Sequence, residues 1–392
     1  PDVFEIPRYA LGLGASSGFR EILGYAPVEP DGSVTVNIPA QRAFNFDVLD
    51  ERGRRIGARH RYWLQLGAGE VVQCTGCHDH ATGLPHGRSD SAAIAANPGA
   101  RALDSGILGY PATDSETLFA SFSGQSMADT WDEHMPADNP GAPAWELDPA
   151  PRHRDAWSGP DISPETDILD RDYDPAWTDI PPERAIIVRN FDSGPVGRIV
   201  INYPDHIQPI WERIRPPVID AEGSEVENCV GCHSTDGDSL VPAGQLDLTT
   251  LPSDQEPEHY RSYRELLSGD AEQWIDAAGA LADRLRVCIT FDADGNELSS
   301  TESVPVSATA RAGSANGSER FFNCFEGGVC GPTDTPPLPE NCTEDAGEPV
   351  PATRNTVEHN GMLSESELHL ISEWLDIGGQ YFNNPFDPRL AD

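Results

Sequence analysis

The chain has 392 residues, room for two or three domains and a buried core. No run approaches the ~20 apolar residues a membrane span needs, which excludes an integral membrane protein of the helical kind. Sixty-five Asp and Glu against 26 Lys and Arg give a net charge of −39, which argues against a nucleic-acid binder, because phosphate contacts need basic surface. All 26 basic residues are Arg. An Arg keeps its charge at high pH, and salt screens an acidic surface from self-repulsion, so the composition fits a salty or an alkaline medium. Gly 36 and Pro 35 exceed the usual share without reaching the disordered range. This predicts a loop-rich, mixed α+β protein. The chain opens Pro1-Asp2-Val3 with no leader and no initiator Met, which reads as a processed or trimmed chain.

Residues 1–83 are expected to form a small antiparallel β domain. Ser33 to Ile38 and Ala43 to Val48 alternate, and Asp50-Glu51-Arg52-Gly53 is a turn leading to a strand from Arg59 to Leu64. Gly12, Gly14 and Gly18 follow no strand, so they read as turns rather than a nucleotide loop. Cys74-Thr75-Gly76-Cys77-His78 ends this domain. Residues 84–195 are Pro- and Asp-rich, with Trp131, Trp145, Trp157 and Trp177 arguing for packing.

Residues 196–392 should form a helical domain. A strand is expected from Arg198 to Tyr203 and a short helix from His206 to Ile214. Cys229-Val230-Gly231-Cys232-His233 follows, then helices from Tyr260 to Ser268 and from Ala271 to Leu285. Arg286 to Phe291 with Asp292-Ala293-Asp294-Gly295 reads as a hairpin, opening an insertion at 286–355. Asp292 and Asp294 lack the rest of a Ca²⁺ loop, so a turn is expected. The last helix has a capping box at Ser364 and Glu367, a staple of Leu363 and Leu368, an apolar stripe of Leu368, Ile371, Trp374 and Leu375, and a stop at Gly378-Gly379.

Both C-x-x-C-H segments match the attachment motif of c-type haem. Two thiols one turn apart reach the two vinyl groups of one porphyrin, and the next His lies under the iron. A redox pair needs no such His, and a zinc site joining the motifs would waste both. Two covalently attached haems are therefore expected, on Cys74, Cys77 and His78, and on Cys229, Cys232 and His233. Such attachment is extracytoplasmic chemistry. In an oxidising compartment Cys288, Cys324, Cys330 and Cys342 read as two disulfides, with three pairings open.

The distal ligands decide what the irons do, since a sixth protein ligand saturates the metal and an open position admits substrate. His359, just before the last helix, is the expected distal ligand of the second haem, with Met362 as alternative. His206 is expected to reach the first haem, with His80 and His134 as alternatives. His60, on a strand, reads as structural.

The runs Ile22 to Ser33, Ile38-Pro39-Ala40 and Leu49-Asp50-Glu51 with the first haem motif resemble hydrazine synthase alpha-subunit-like proteins. So do Ile201 to Ile210, Pro242 to Leu248, Ser262-Tyr263 and Glu373 to Tyr381. The resemblance implies a short β domain with the first haem, followed by a cytochrome c-like domain with the second and a disulfide-pinned insertion. The family's N-terminal propeller is absent from this sequence. So is the Tyr that ligates its catalytic haem just after the first motif, where this chain reads Asp79-His80-Ala81-Thr82-Gly83. Electron transfer, not hydrazine synthesis, is what carries over. The expectation is an extracytoplasmic dihaem electron carrier, working with redox partner proteins or with other copies of itself in a multihaem assembly or filament. The alternative is a haem enzyme with one five-coordinate iron, acting on peroxide or nitrogen compounds.

Overall fold

The computed structural model describes residues 6–26, 28, 33–50, 52–57, 59–60, 62–72, 74, 128, 187–188, 198–219, 223, 225–235, 241–276, 278–328, 341–344 and 358–383. The chain divides into two compact units, one of Ile22–Asp172 with Ile187–Ile199, the other of Pro1–Glu21, Tyr173–Ile186 and Val200–Asp392. Mixed helix and small antiparallel sheets make up both units together, as expected of an α+β chain.

In the first of these units the strands are only two residues long. β1 (Ala43–Phe44) pairs with β4 (Leu64–Gln65), β2 (Val48–Leu49) with β3 (Arg55–Ile56), and β5 (Ile187–Val188) with β6 (Arg198–Ile199), all antiparallel. The β2–β3 turn is built as its residues dictate. The Asp50 carboxylate accepts the amides of Arg52 and Arg54, each at 2.9 Å, and Gly53 takes the left-handed conformation (φ 71) the turn requires. The alternating run at 33–38 forms no named strand. Val34 is exposed, as are Phe46 and Val48, so among the described residues no layer packs on the apolar side of this alternation.

The other unit begins at α1 (Arg8–Leu11) and continues through α2 (Gln208–Glu212), β7 (Val218–Ile219), β8 (Glu225–Val226), α3 (Cys229–Cys232) and α4 (Arg261–Leu267). Next come β9 (Asp270–Ala271), β10 (Gln273–Ile275), β11 (Leu281–Asp283), β12 (Leu285–Phe291), β13 (Glu297–Ser303), β14 (Pro305–Val306), α5 (Glu319–Phe325) and β15 (Cys342–Glu344). The last helix is α6 (Glu365–Asp376). The helix expected over 271–285 is a hairpin instead. Asp276 accepts the amides of Ala278 and Ala280, and Gly279 sits at φ 78, so a tight turn breaks the run. Pairing of β10 with β11 outweighs the helix propensity of its alanines. The hairpin expected at Asp292–Gly295 is present as β12–β13. Its Asp292 carboxylate accepts the amides of Asp294 and Asn296, the turn role expected of it. Cys288 and Cys342 face each other across β12 and β15 and are joined by a disulfide. Cys324 lies on α5, and Cys330 lies outside the described residues.

The core of this unit forms around α6. Ser364 caps the helix, its hydroxyl accepting the Glu367 amide while the Glu367 carboxylate accepts the Ser364 amide. Leu363, Ile371, Trp374 and Leu375 are buried as their spacing predicts. So is the opposite face, where His369 Nε2 meets Glu373 at 3.0 Å. Trp374 packs on Tyr203 and Tyr263, and Tyr381 stacks on Tyr203.

The N-terminal residues cross this core. The Leu13 amide donates to the Tyr263 hydroxyl, and the Phe382 amide donates to the Ala10 carbonyl. Glycine is required at the crossing, because a Cβ on Gly14 would lie 2.0 Å from the Gly378 carbonyl oxygen. Gly14→Ala is therefore expected to cost about 1–3 kcal/mol as an overpacked contact, measurable as a drop in the urea midpoint. A midpoint equal to wild type would mean residues 6–20 do not lie there.

His259 fastens the same segment. Its Nε2 donates to the Tyr9 carbonyl at 2.6 Å, and its ring packs against Tyr263 and Tyr381. Burial, the largest cause, and the nearby Arg264 push its pKa down from 6.5 to about 4, against the opposing pull of the Tyr9 carbonyl and Glu258. The unfolded chain then binds the extra proton first, so stability from this residue is complete above pH 6.5 and is lost as pH falls toward 4. The loss is expected to reach about 3 kcal/mol. Unfolding curves at pH 7 and pH 4.5 should show it, and His259→Gln should flatten that part of the pH dependence.

Candidate haem site around His233

The second C-x-x-C-H segment folds into one helical turn for local reasons. The Asn228 side chain caps α3 by accepting the Gly231 amide at 2.8 Å, and the His233 amide closes the turn on the Cys229 carbonyl. Gly231 has no alternative, since a Cβ there would meet Val226 Cγ1 at 2.3 Å. The turn places two half-buried thiols close together, with His233 at its end. Burial, the largest cause, pushes the Cys229 thiol up, while the positive charge of Arg215 pulls the other way.

His233 is pinned on both sides. Its carbonyl accepts the Leu248 amide, and its Nδ1 lies 3.2 Å from the Leu246 carbonyl oxygen. A carbonyl can only accept, so Nδ1 carries the hydrogen and the Nε2 lone pair is left for a metal. Burial, followed by the neighbouring His359, holds its pKa down at about 4. The ring is therefore neutral, the form that ligates.

His359 comes from the loop before α6. The Met362 amide turns back to the His359 carbonyl, the Gly361 amide donates to the Phe325 carbonyl, and Phe325 meets the imidazole edge-on at 5.9 Å. The His233 and His359 ring centres are 6.0 Å apart, with the planes at 53°. A hydrogen-bonded pair of imidazoles would be closer by about 1 Å. Two nitrogen–metal bonds of about 2 Å from opposite sides put the ring centres at about 6 Å. The separation of the pair matches that spacing, and Cys229 and Cys232 belong to the same short segment as His233. Among the described residues no group of three or more His, Cys, Asp or Glu could hold a metal ion.

A buried ion cluster ties this loop down. The Glu367 carboxylate, 1 % exposed, meets Arg215 Nη2 at 2.8 Å and Arg213 Nη1 at 3.1 Å. Arg215 also donates to the Met362 carbonyl at 2.6 Å and the Ile210 carbonyl at 2.9 Å. This cluster has no short-range signal, because Glu367 and Met362 lie more than 140 residues from the two arginines along the chain.

The other candidates are placed differently. His206 is fully buried, and its Nδ1 accepts the Asn202 amide at 2.8 Å. A neutral ring used that way carries its proton on Nε2 and has no lone pair for iron. This geometry argues against the distal role expected of His206 and for a structural one. His60 lies outside the strands, between β3 and β4, and its Nδ1 lies 2.7 Å from the Tyr62 carbonyl, a local contact. Met362 is half-buried and contributes its carbonyl to Arg215. Cys74 is exposed. Cys77, His78, His80 and His134 lie outside the described residues, as do the four tryptophans of 84–195.

The comparisons with known proteins bear on the N-terminal stretch and not on the residues around His233. The family model of the hydrazine synthase alpha subunit middle domain matches residues 12–79, a stretch that contains the first haem motif. No curated protein and no solved structure matches the chain. The similarity supports a relation to a haem-associated protein. No helix among the described residues is long and apolar enough to cross a membrane.

Proposed function

We propose that this chain is an extracytoplasmic c-type cytochrome that carries electrons on two covalently attached haems. The observation that carries the reading is the 6.0 Å separation of His233 and His359, beside the two cysteines of an attachment motif. Cys229 and Cys232 would tether the porphyrin, and His233 and His359 would hold its iron from either side. Cys74, Cys77 and His78 would do the same for the first haem, with His80 or His134 as distal ligand. The bound iron would supply one-electron exchange between ferric and ferrous states.

The protein's contribution is position and environment. The Leu246 carbonyl places the His233 proton on Nδ1, so Nε2 would be free to hold the iron. Phe325 packs edge-on against His359 and would help hold that ring in place. Two strong imidazole donors leave no position for substrate, which favours electron transfer over catalysis. The acidic chain would attract redox partners with basic surfaces at low salt. Stacking of copies into a multihaem assembly would extend the same reading.

Two measurements on the native protein test this. Peptide mass mapping should find one haem on the peptide holding Cys74 and Cys77 and one on that holding Cys229 and Cys232. Redox titration should then give two reversible one-electron steps. Unmodified cysteines in both peptides would overturn the reading.

A further inference from the structure

We propose that Arg215 is a positioning residue for the second haem: its guanidinium fixes the loop that presents His359, and the positive charge of its cluster raises the haem's reduction potential. The proposal rests on the reading of His233 and His359 as axial ligands.

Arg215 joins both sides of the site. Its backbone amide donates to the Glu227 carbonyl at 2.6 Å, two residues before Cys229, and its guanidinium is close enough to favour the charged form of the Cys229 thiol. Its Nη1 reaches the Met362 carbonyl, three residues beyond His359, and Glu367 Oε2 at 3.1 Å. Its Nη2 reaches Glu367 Oε1 and the Ile210 carbonyl at the end of α2. Through its backbone and its side chain, this one residue thus links the chain just before the attachment helix with the distal loop, α2 and α6. An ammonium is a single point donor and cannot hold this planar fork.

The charges do not cancel. Glu367 supplies one negative charge against the positive charges of Arg213 and Arg215. The remainder is one positive charge, mostly out of water, beside a cysteine of the haem motif. Ferric haem is more positive than ferrous haem by one unit. A nearby positive charge therefore disfavours the oxidised form and raises the potential, against the pull of a strongly acidic chain.

The test uses the haem-loaded protein and three variants. Arg215→Gln removes the charge and should shift the second haem's midpoint potential to more negative values. Glu367→Gln keeps an acceptor oxygen but removes the negative charge, and should shift it to more positive values. Arg215→Lys keeps the charge and loses the fork. It should hold the potential close to wild type while letting carbon monoxide bind a fraction of the reduced second haem. A purely structural cluster would move Arg215→Gln and Glu367→Gln in the same direction, or neither, and that outcome overturns the proposal. So does an Arg215→Lys protein that binds no carbon monoxide. If Arg215→Gln does not fold, the sign of the Glu367→Gln shift decides: a negative or absent shift overturns it. Absence of haem from Cys229 and Cys232 in the wild type would instead mean that the underlying haem reading has failed.

Discussion

His359→Ala is expected to convert the second haem from a six-coordinate, low-spin centre into one that binds carbon monoxide when reduced. About one haem of two should respond, the other keeping its ligands. The reasoning is geometric. The His359 ring is the group that faces His233 at 6.0 Å, and it is held there by Phe325 and the turn closed by the Met362 amide. Removing the imidazole leaves the loop in place, because its backbone anchors to Phe325 and Arg215 do not pass through the side chain. Stability should therefore change little, while the spectrum changes greatly. His359→Met keeps a ligand of a different kind and is expected to raise the potential, as a thioether does relative to an imidazole. Electron paramagnetic resonance of the oxidised protein would follow both changes. An unaltered low-spin signal in His359→Ala would mean that another residue, with Met362 the nearest in sequence, ligates the iron.

The largest loss of stability is expected from Glu367→Ala. The Glu367 carboxylate accepts from Arg213, Arg215 and the Ser364 amide while 1 % exposed. Its loss strands two guanidiniums, one of them mostly buried, at about 3–5 kcal/mol. It also removes half of the capping box that starts α6, at about 1 kcal/mol more. Urea unfolding of the haem-loaded protein measures this directly, and a loss below about 1 kcal/mol would show the cluster to behave like a surface pair. Acid should imitate the substitution. Burial pushes the Glu367 carboxyl up, but the Arg215 hydrogen bond, the Ser364 amide and the Arg213 guanidinium outweigh it and hold the group below its ordinary 4.5. A carboxyl depressed in the folded state stabilises above its unfolded pKa. That contribution is lost as pH falls through the folded value, so Glu367→Gln should unfold with a shallower dependence on pH below 4.5.

The features legible in the sequence were those written in neighbouring residues. The one-turn helix at Cys229–Cys232, the capping box at Ser364 and Glu367 and the turn at Asp292 each depend on contacts within a few positions. His359 was legible by its place before a helix whose start is marked. Residues 271–285 misled because alanine-rich spacing favours a helix locally, while Asp276, Gly279 and the β10–β11 pairing select a hairpin. Arg215 gave no signal at all, since an Arg before two prolines looks like any exposed cation until Met362 and Glu367 fold against it. Gly12 and Gly14 were read as turns. Their deeper reason is the close approach of Tyr263 and Gly378, more than 240 residues away. His206, expected from its place just before the second domain to reach the first haem, accepts the Asn202 amide on Nδ1, a bond the sequence does not signal.

The central claim is that two imidazoles, from His233 and His359, close the second iron to outside ligands, making the protein an electron carrier. The most direct test is the optical spectrum of the reduced wild-type protein before and after addition of carbon monoxide, with His359→Ala as the reference for an open second site. The account predicts an unchanged wild-type Soret band and a shift on about half the haem in the variant. A wild-type shift matching that of the variant would contradict it and mark the second iron as an open site for substrate.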